Sequence, residues 1–72
     1  MTKESLIEVL EVACTIVFIK KNGDTRKMHC IINEDQPATF ANSDAVGVIE
    51  SLTGAFRAIK SNTVLSVNGE MV

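Results

Sequence analysis

Cys14, His29 and Cys30 are the residues from which this chain could build nucleophilic or metal chemistry, and their spacing argues against both. A thiol nucleophile needs its imidazole base within hydrogen-bond reach. His29 and Cys30 are sequence neighbours in a run rich in β-formers, where adjacent side chains point to opposite faces. Two cysteines and one histidine fall one ligand short of a structural zinc site, and the C-x2-C spacing is missing. Gly23, Gly47, Gly54 and Gly69 make no phosphate-binding fingerprint and read as turn or bulge glycines. The expectation is a non-enzymatic chain with no catalytic residue, no metal and no cofactor. Cys14 and Cys30 read as buried, reduced thiols of a cytoplasmic protein, although the register argued below leaves a disulfide geometrically open.

The basic residues carry the stronger signal. Lys20, Lys21, Arg26 and Lys27 cluster around one turn, and Arg57 and Lys60 follow in a later strand. Such a set suits an anion or an acidic partner, and it equally suits a solvated hairpin tip. Arg57 and Lys60 are three apart, so in a strand they face opposite sides and cannot form one patch alone. Arg26 falls on the core face, where an ion pair with Glu50 or Asp44 at the rim is favoured over ligand contact.

These side chains sit in a chain of 72 residues, one domain near the lower size limit for a self-sufficient core. The composition is 46% hydrophobic, which makes the chain globular rather than disordered. The aromatics are Phe18, Phe40 and Phe56, so Val, Ile and Leu must form most of the core. A net charge of −2 argues against non-specific DNA binding as the main activity. The charge is uneven, however. Residues 14–32 hold Lys20, Lys21, Arg26 and Lys27 against Asp24, whereas residues 33–55 hold Glu34, Asp35, Asp44 and Glu50 with no base. No apolar run approaches membrane-spanning length, and glutamates interrupt the first residues, which therefore do not read as a signal peptide.

The elements that must position the basic set follow from periodicity. Residues 2–13 read as a helix with the apolar stripe Leu6, Val9, Leu10 and Ala13 and with Glu4, Glu8 and Glu11 opposite. Ser5 and Glu8 make a capping box, with Thr2 as a competing N-cap. Asn22-Gly23 between two β-rich runs marks a hairpin. A three-residue loop, Lys21-Asn22-Gly23, ending in a left-handed glycine sets Phe18 opposite Arg26, Ile16 opposite Met28 and Cys14 opposite Cys30. It gathers Ile16, Phe18, Met28, Cys30 and Ile32 on one face, so burial favours it over a two-residue turn. The other face holds Thr15, Val17, Ile19, Lys27, His29 and Ile31. Val17, Ile19 and Ile31 make it too apolar for full solvation and mark a candidate interface.

Residues 33–44 form a polar loop with Pro37 and one anchor, Phe40. Further strands are expected at 45–50, where Gly47 suggests a bulge or a close backbone approach, at 55–60 and at 64–67. A turn covers 51–54 and a 3₁₀-like turn 61–63. Residues 68–72 read as a frayed tail. One helix followed by five short strands in this order predicts an N-terminal helix capping a five-stranded, SH3-like or Sm-like antiparallel barrel over 14–67.

At Ile16 to Cys30 the sequence resembles the pattern V-x-F-x-K-x-[DN]-G-x-x-R-x-M-x-C, and at Val48 to Lys60 it resembles V-W-D-x-x-x-G-[AG]-[WF]-R-x-[FI]-[RK]. Both patterns are those of small, bacteriophage-encoded Sm-like SH3 β-barrel proteins related to WYL domains. The chain departs from them at Ile49 and Ile59, where aromatics are common, and in a shorter loop over 33–44. The resemblance implies a phage accessory protein in the host bacterial cytoplasm. WYL domains are linked to ligand or nucleic-acid sensing, and Sm-like barrels to RNA and to ring assembly.

The leading expectation is a protein-binding module that engages a host or phage factor, in host takeover or anti-defence. The alternatives are a nucleic-acid or nucleotide-binding module using the basic hairpin, and a self-assembling homo-oligomer using Val17, Ile19 and Ile31. Few aromatics count against the first alternative, since single-strand binders rely on stacked rings.

Overall fold

The computed structural model describes residues 1–36 and 38–72. Pro37, part of the expected polar loop, lies outside the described residues. The elements are α1 (Lys3–Leu10), β1 (Cys14–Ile19), β2 (Thr25–Ile32), β3 (Ala45–Glu50), β4 (Phe56–Lys60), β5 (Val64–Val67) and β6 (Glu70–Met71). Short 3₁₀ turns cover Ala38–Phe40 and Ser61–Thr63. The protein is mainly β with one N-terminal helix.

Thr2, not Ser5, caps α1: its Oγ1 accepts a hydrogen bond from the Ser5 backbone N–H at 3.1 Å. Starting there gives the helix a first turn before Leu6. It also places Met1 and Leu6 at the two positions of a hydrophobic staple, and Met1 packs against the core. Leu6 and Leu10 are fully buried, each contributing about 1.5–3 kcal/mol by leaving water. The helix stops at Leu10, three residues before the expected end. Cys14 must enter β1 with its side chain in the core, and the intervening Val12 stays exposed.

The β1–β2 hairpin has the register that burial favoured, with Cys14 opposite Cys30, Ile16 opposite Met28 and Phe18 opposite Arg26. The Gly23 N–H donates to the Lys20 carbonyl at 2.9 Å, and Gly23 has φ +89°. That positive φ ends a three-residue loop in the left-handed region, where a Cβ would be strained. At β3 the structure shows a close approach rather than a bulge. The Gln36 side-chain amide pairs with the Gly47 backbone like a strand, donating from Nε2 to the carbonyl and accepting from the N–H, both at 2.8 Å. A Cβ on Gly47 would stand 3.2 Å from Gln36 Oε1 and 3.4 Å from the Phe40 ring, so the expected anchor Phe40 does its work here.

The sheet runs β4-β3-β2-β1-β5-β6, all antiparallel. It departs from the expected five-stranded barrel in two ways. It has six strands, and among the described residues no pairing joins β4 to β5, so the sheet stays open. It is nonetheless strongly curled. β4 and β5 lie four strands apart, about 19 Å in a flat sheet, yet only Ser61–Thr63 joins them, a 3₁₀ turn that advances about 6 Å. The curl puts Ile16, Phe18, Met28, Cys30, Val46, Val48 and Ile59 on a concave face, where α1 covers part of them.

β6 replaces the expected frayed tail. Asn68 and Gly69 have φ +51° and +84°, and Val67 pairs with Glu70, the geometry of a two-residue type I′ hairpin. Asn68 is also tied to β1: its N–H donates to the Thr15 carbonyl at 2.8 Å, and its Oδ1 accepts from the Thr15 N–H at 3.0 Å.

Candidate functional site

The part of the concave face that α1 leaves uncovered forms a cleft of about 800 Å³. Its floor is apolar, built from Phe18, Met28 and Ile59. Among the described residues that line it, five are Lys or Arg and none is Asp or Glu. Lys20 and Lys21 stand on the hairpin side, Arg57 and Lys60 on β4, and Arg26 beside Phe18.

Five of the six basic residues singled out in the sequence therefore meet at one place. Lys27 does not: it lies opposite Val17 on the convex face. Arg57 and Lys60 face opposite sides of β4 and line the cleft together with Lys20, Lys21 and Arg26 rather than as a pair alone. Their cross-strand partners, Val48 and Ala45, confirm that they alternate in the strand. Both still line the cleft, because β4 is an edge strand and the cleft runs along that edge.

Glu50 organises the arginines. It is only 8% exposed, at the inward end of the alternation Val46, Val48, Glu50. Arg26 Nη2 reaches Glu50 Oε2 at 3.2 Å, and Arg57 Nε reaches Oε1 at 3.4 Å. Thr53 Oγ1 donates to the same Oε1 at 3.4 Å. The expected Arg26 ion pair is thus with Glu50, not Asp44. One carboxylate against two guanidiniums leaves a net positive charge, and both arginines keep free donors toward solvent. Sequence reasoning missed that Arg57 shares Glu50. The signal was there: the turn after Glu50 folds β4 back so that Val48 faces Arg57, two residues from the carboxylate.

The cysteines lie opposite each other, free and buried in the core. Burial pushes the Cys30 thiol up to about 11, with smaller contributions from Cys14 and Glu50, and burial also raises Cys14. Thiols held neutral this way are poor nucleophiles and poor metal ligands. His29 points the other way, its Nδ1 2.9 Å from Thr15 Oγ1 on the convex face. Among the described residues no group of three or more His, Cys, Asp or Glu side chains is placed to hold a metal. No helix among them is long and apolar enough to cross a membrane.

The candidate interface residues are not brought into one patch. Val17 is half-buried between Lys27 and Ser66. Ile19, 40% exposed, borders the cleft. Ile31, 36% exposed, begins a convex row that continues through Ile49 to Phe56, itself 75% exposed. Phe56 was not foreseen at this surface.

Comparison with protein families, with curated proteins and with solved structures gives no match.

Proposed function

We propose that this chain is a non-enzymatic binding module that takes an acidic segment of a partner protein into its cationic cleft. The observation that carries this reading is the cleft itself: five cations around an apolar floor, with no carboxylate among the described residues of its walls. Complementary charge of this kind steers encounter and rejects basic partners, while apolar contact on Phe18, Met28 and Ile59 supplies affinity.

The finer fold assignment belongs to the same proposal. A strand order with β5 beside β1, and a 3₁₀ turn between β4 and β5, supports an SH3-like or Sm-like relationship in an open form. Phage origin, action in the host bacterial cytoplasm, and a host or phage factor as partner rest on the sequence resemblance at residues 16–30 and 48–60.

Nucleic-acid or nucleotide binding is the second reading, favoured by the same five cations. Against it, Phe18 is only 9% exposed and Phe40 half-buried, so the cleft offers little ring surface for stacking. Affinity purification of the tagged protein from infected cells separates the two. A protein partner that survives nuclease treatment and is lost on combining Lys20→Glu, Lys21→Glu and Lys60→Glu supports the first reading. Recovery of nucleic acid, with the complex dissolved by nuclease, replaces it by the second.

A further inference from the structure

We infer that the acidic segment binds as an added strand, pairing with the free edge of β4 along the seam where the curled sheet fails to close. This inference rests on the reading of the cleft as a site for an acidic partner.

The first observation is the cleft's outline. Arg57, Ala58, Ile59 and Lys60 all line it. Consecutive residues of a strand point alternately to opposite faces, so a cavity that touches all four lies against the strand's edge rather than against one face. The opposite wall has the same character, with Ile19, Lys20 and Lys21 in succession.

The second observation is hydrogen-bond parity. The Glu50 N–H donates to the Ala55 carbonyl at 2.9 Å, while Gly47 directs its N–H and carbonyl to Gln36, away from β4. By alternation, Arg57 and Ile59 bond to β3, and Phe56, Ala58 and Lys60 direct their backbone groups outward. The Lys60 carbonyl is taken by Thr63 Oγ1 at 2.7 Å. The remaining groups, at Phe56 and Ala58 and the Lys60 N–H, face the seam, where among the described residues no strand pairs with them. The other edge of the sheet, β6, is only two residues long.

Charge selects the occupant. A second copy's β4 would set Arg57 and Lys60 near their own counterparts, and like charges across a ladder are destabilising. An acidic strand meets cations on both walls. Its inward side chains would be a carboxylate opposite Arg57, within reach of the guanidiniums that Glu50 holds, and an apolar group over Ile59. Its outward carboxylate would lie beside Lys60. Backbone pairing gives affinity and the alternating side chains give selectivity, as in other strand-addition complexes.

The test uses the full chain, labelled with ¹⁵N, and an acetylated, amidated octapeptide of sequence EVVEEVVE, in which glutamate and valine alternate along each face of the strand. Addition of the peptide should slow amide exchange at Phe56, Ala58 and Lys60 at least tenfold, with little change at Arg57 and Ile59, which are already bonded. The same peptide N-methylated on every residue, which blocks both of its edges, should bind at least tenfold more weakly, as should a lysine-valine peptide. Ala58→Pro removes an outward donor without removing a β3 bond and should also abolish binding. The N-methylated peptide gives the same answer should that variant not fold. Equal binding of the N-methylated peptide without new protection, yet loss of binding in Lys20→Glu/Lys60→Glu, overturns strand addition and leaves the cleft reading standing. Failure of the glutamate-valine peptide to bind also overturns strand addition, while the cleft reading falls only when the charge-reversed chain keeps its cellular partner. Protected Phe56 and Ala58 amides and a dimer mass in the peptide-free sample would assign the edge to a second copy instead.

Discussion

One concave face serves two purposes in this protein, and the part under α1 differs from the part beside β4 in what its side chains can do. Under α1, Leu6 and Leu10 share one buried apolar cluster with Cys14, Cys30, Val46 and Val48. Beside β4, the apolar residues Phe18, Met28 and Ile59 share their surroundings with Arg26 and Arg57, which Glu50 ties down, and with three lysines at the rim. The covered part is where stability resides; the open part retains charge and access. The lesson is that a helix only eight residues long cannot cover the whole concavity of the curled sheet, and what it leaves bare becomes the candidate site.

The contrast makes graded predictions. Leu10→Ala, under the helix, should cost the most, about 3 kcal/mol in urea unfolding, because it empties a fully buried site. A loss below about 1 kcal/mol would mean the helix is not the lid described. Glu50→Gln should cost about 2 kcal/mol, less than a fully buried pair, because both arginines reach solvent. It should also increase affinity for acidic peptides, since two guanidiniums lose their internal counter-ion. Weaker binding in Glu50→Gln would show that Glu50 positions the arginines more than it neutralises them.

Gly23→Val should cost about 1–2 kcal/mol through left-handed strain, with no steric clash, since no atom of the described residues lies within 4 Å of the Cβ it would add. Alkaline pH should produce a smaller, selective loss in the covered part. The folded state holds the Cys30 thiol at about 11 against an ordinary 9.0, so its contribution is complete below pH 9 and declines as pH rises toward 11. Cys30→Ala should flatten that decline in chemical unfolding series. Smallest of all, Lys20→Glu with Lys60→Glu should leave the unfolding midpoint nearly unchanged, both side chains being exposed, while abolishing binding of the glutamate-valine peptide.

Much of the fold was legible because single strands carry their own burial signal. Ile16, Phe18, Met28 and Cys30 share a face with the three-residue loop but not with a two-residue turn, and the register of the three-residue loop is present. β3 and the Ser61–Thr63 turn also fall where periodicity and turn residues put them. The tail was not legible. Asn22-Gly23 and Asn68-Gly69 are the same dipeptide, but only the first lies between two long apolar runs. The second makes a hairpin because Asn68 is bonded to Thr15, a contact between residues far apart in the chain. The same limit applied to the cleft. The basic residues could be named from the sequence, but their convergence depends on the curl, which brings β4 round toward the β1–β2 hairpin. Closure into a barrel was over-read for the same reason, since strand count and order do not reveal whether the last pair of edges meets.

The short link between β4 and β5 also has a kinetic meaning. β1 and β5 pair residues about fifty positions apart, and closing a loop of that length would cost on the order of 2 kcal/mol more entropy than closing one of three residues. Once the consecutive strands β1 to β4 have formed and curled, however, Ser61–Thr63 delivers β5 directly to its place beside β1. The C-terminal hairpin therefore docks without a search of its own. Substitutions in β5 should therefore speed unfolding while leaving the folding rate nearly unchanged, and a folding rate that falls with them in stopped-flow measurements would place β5 docking before the rate-limiting step.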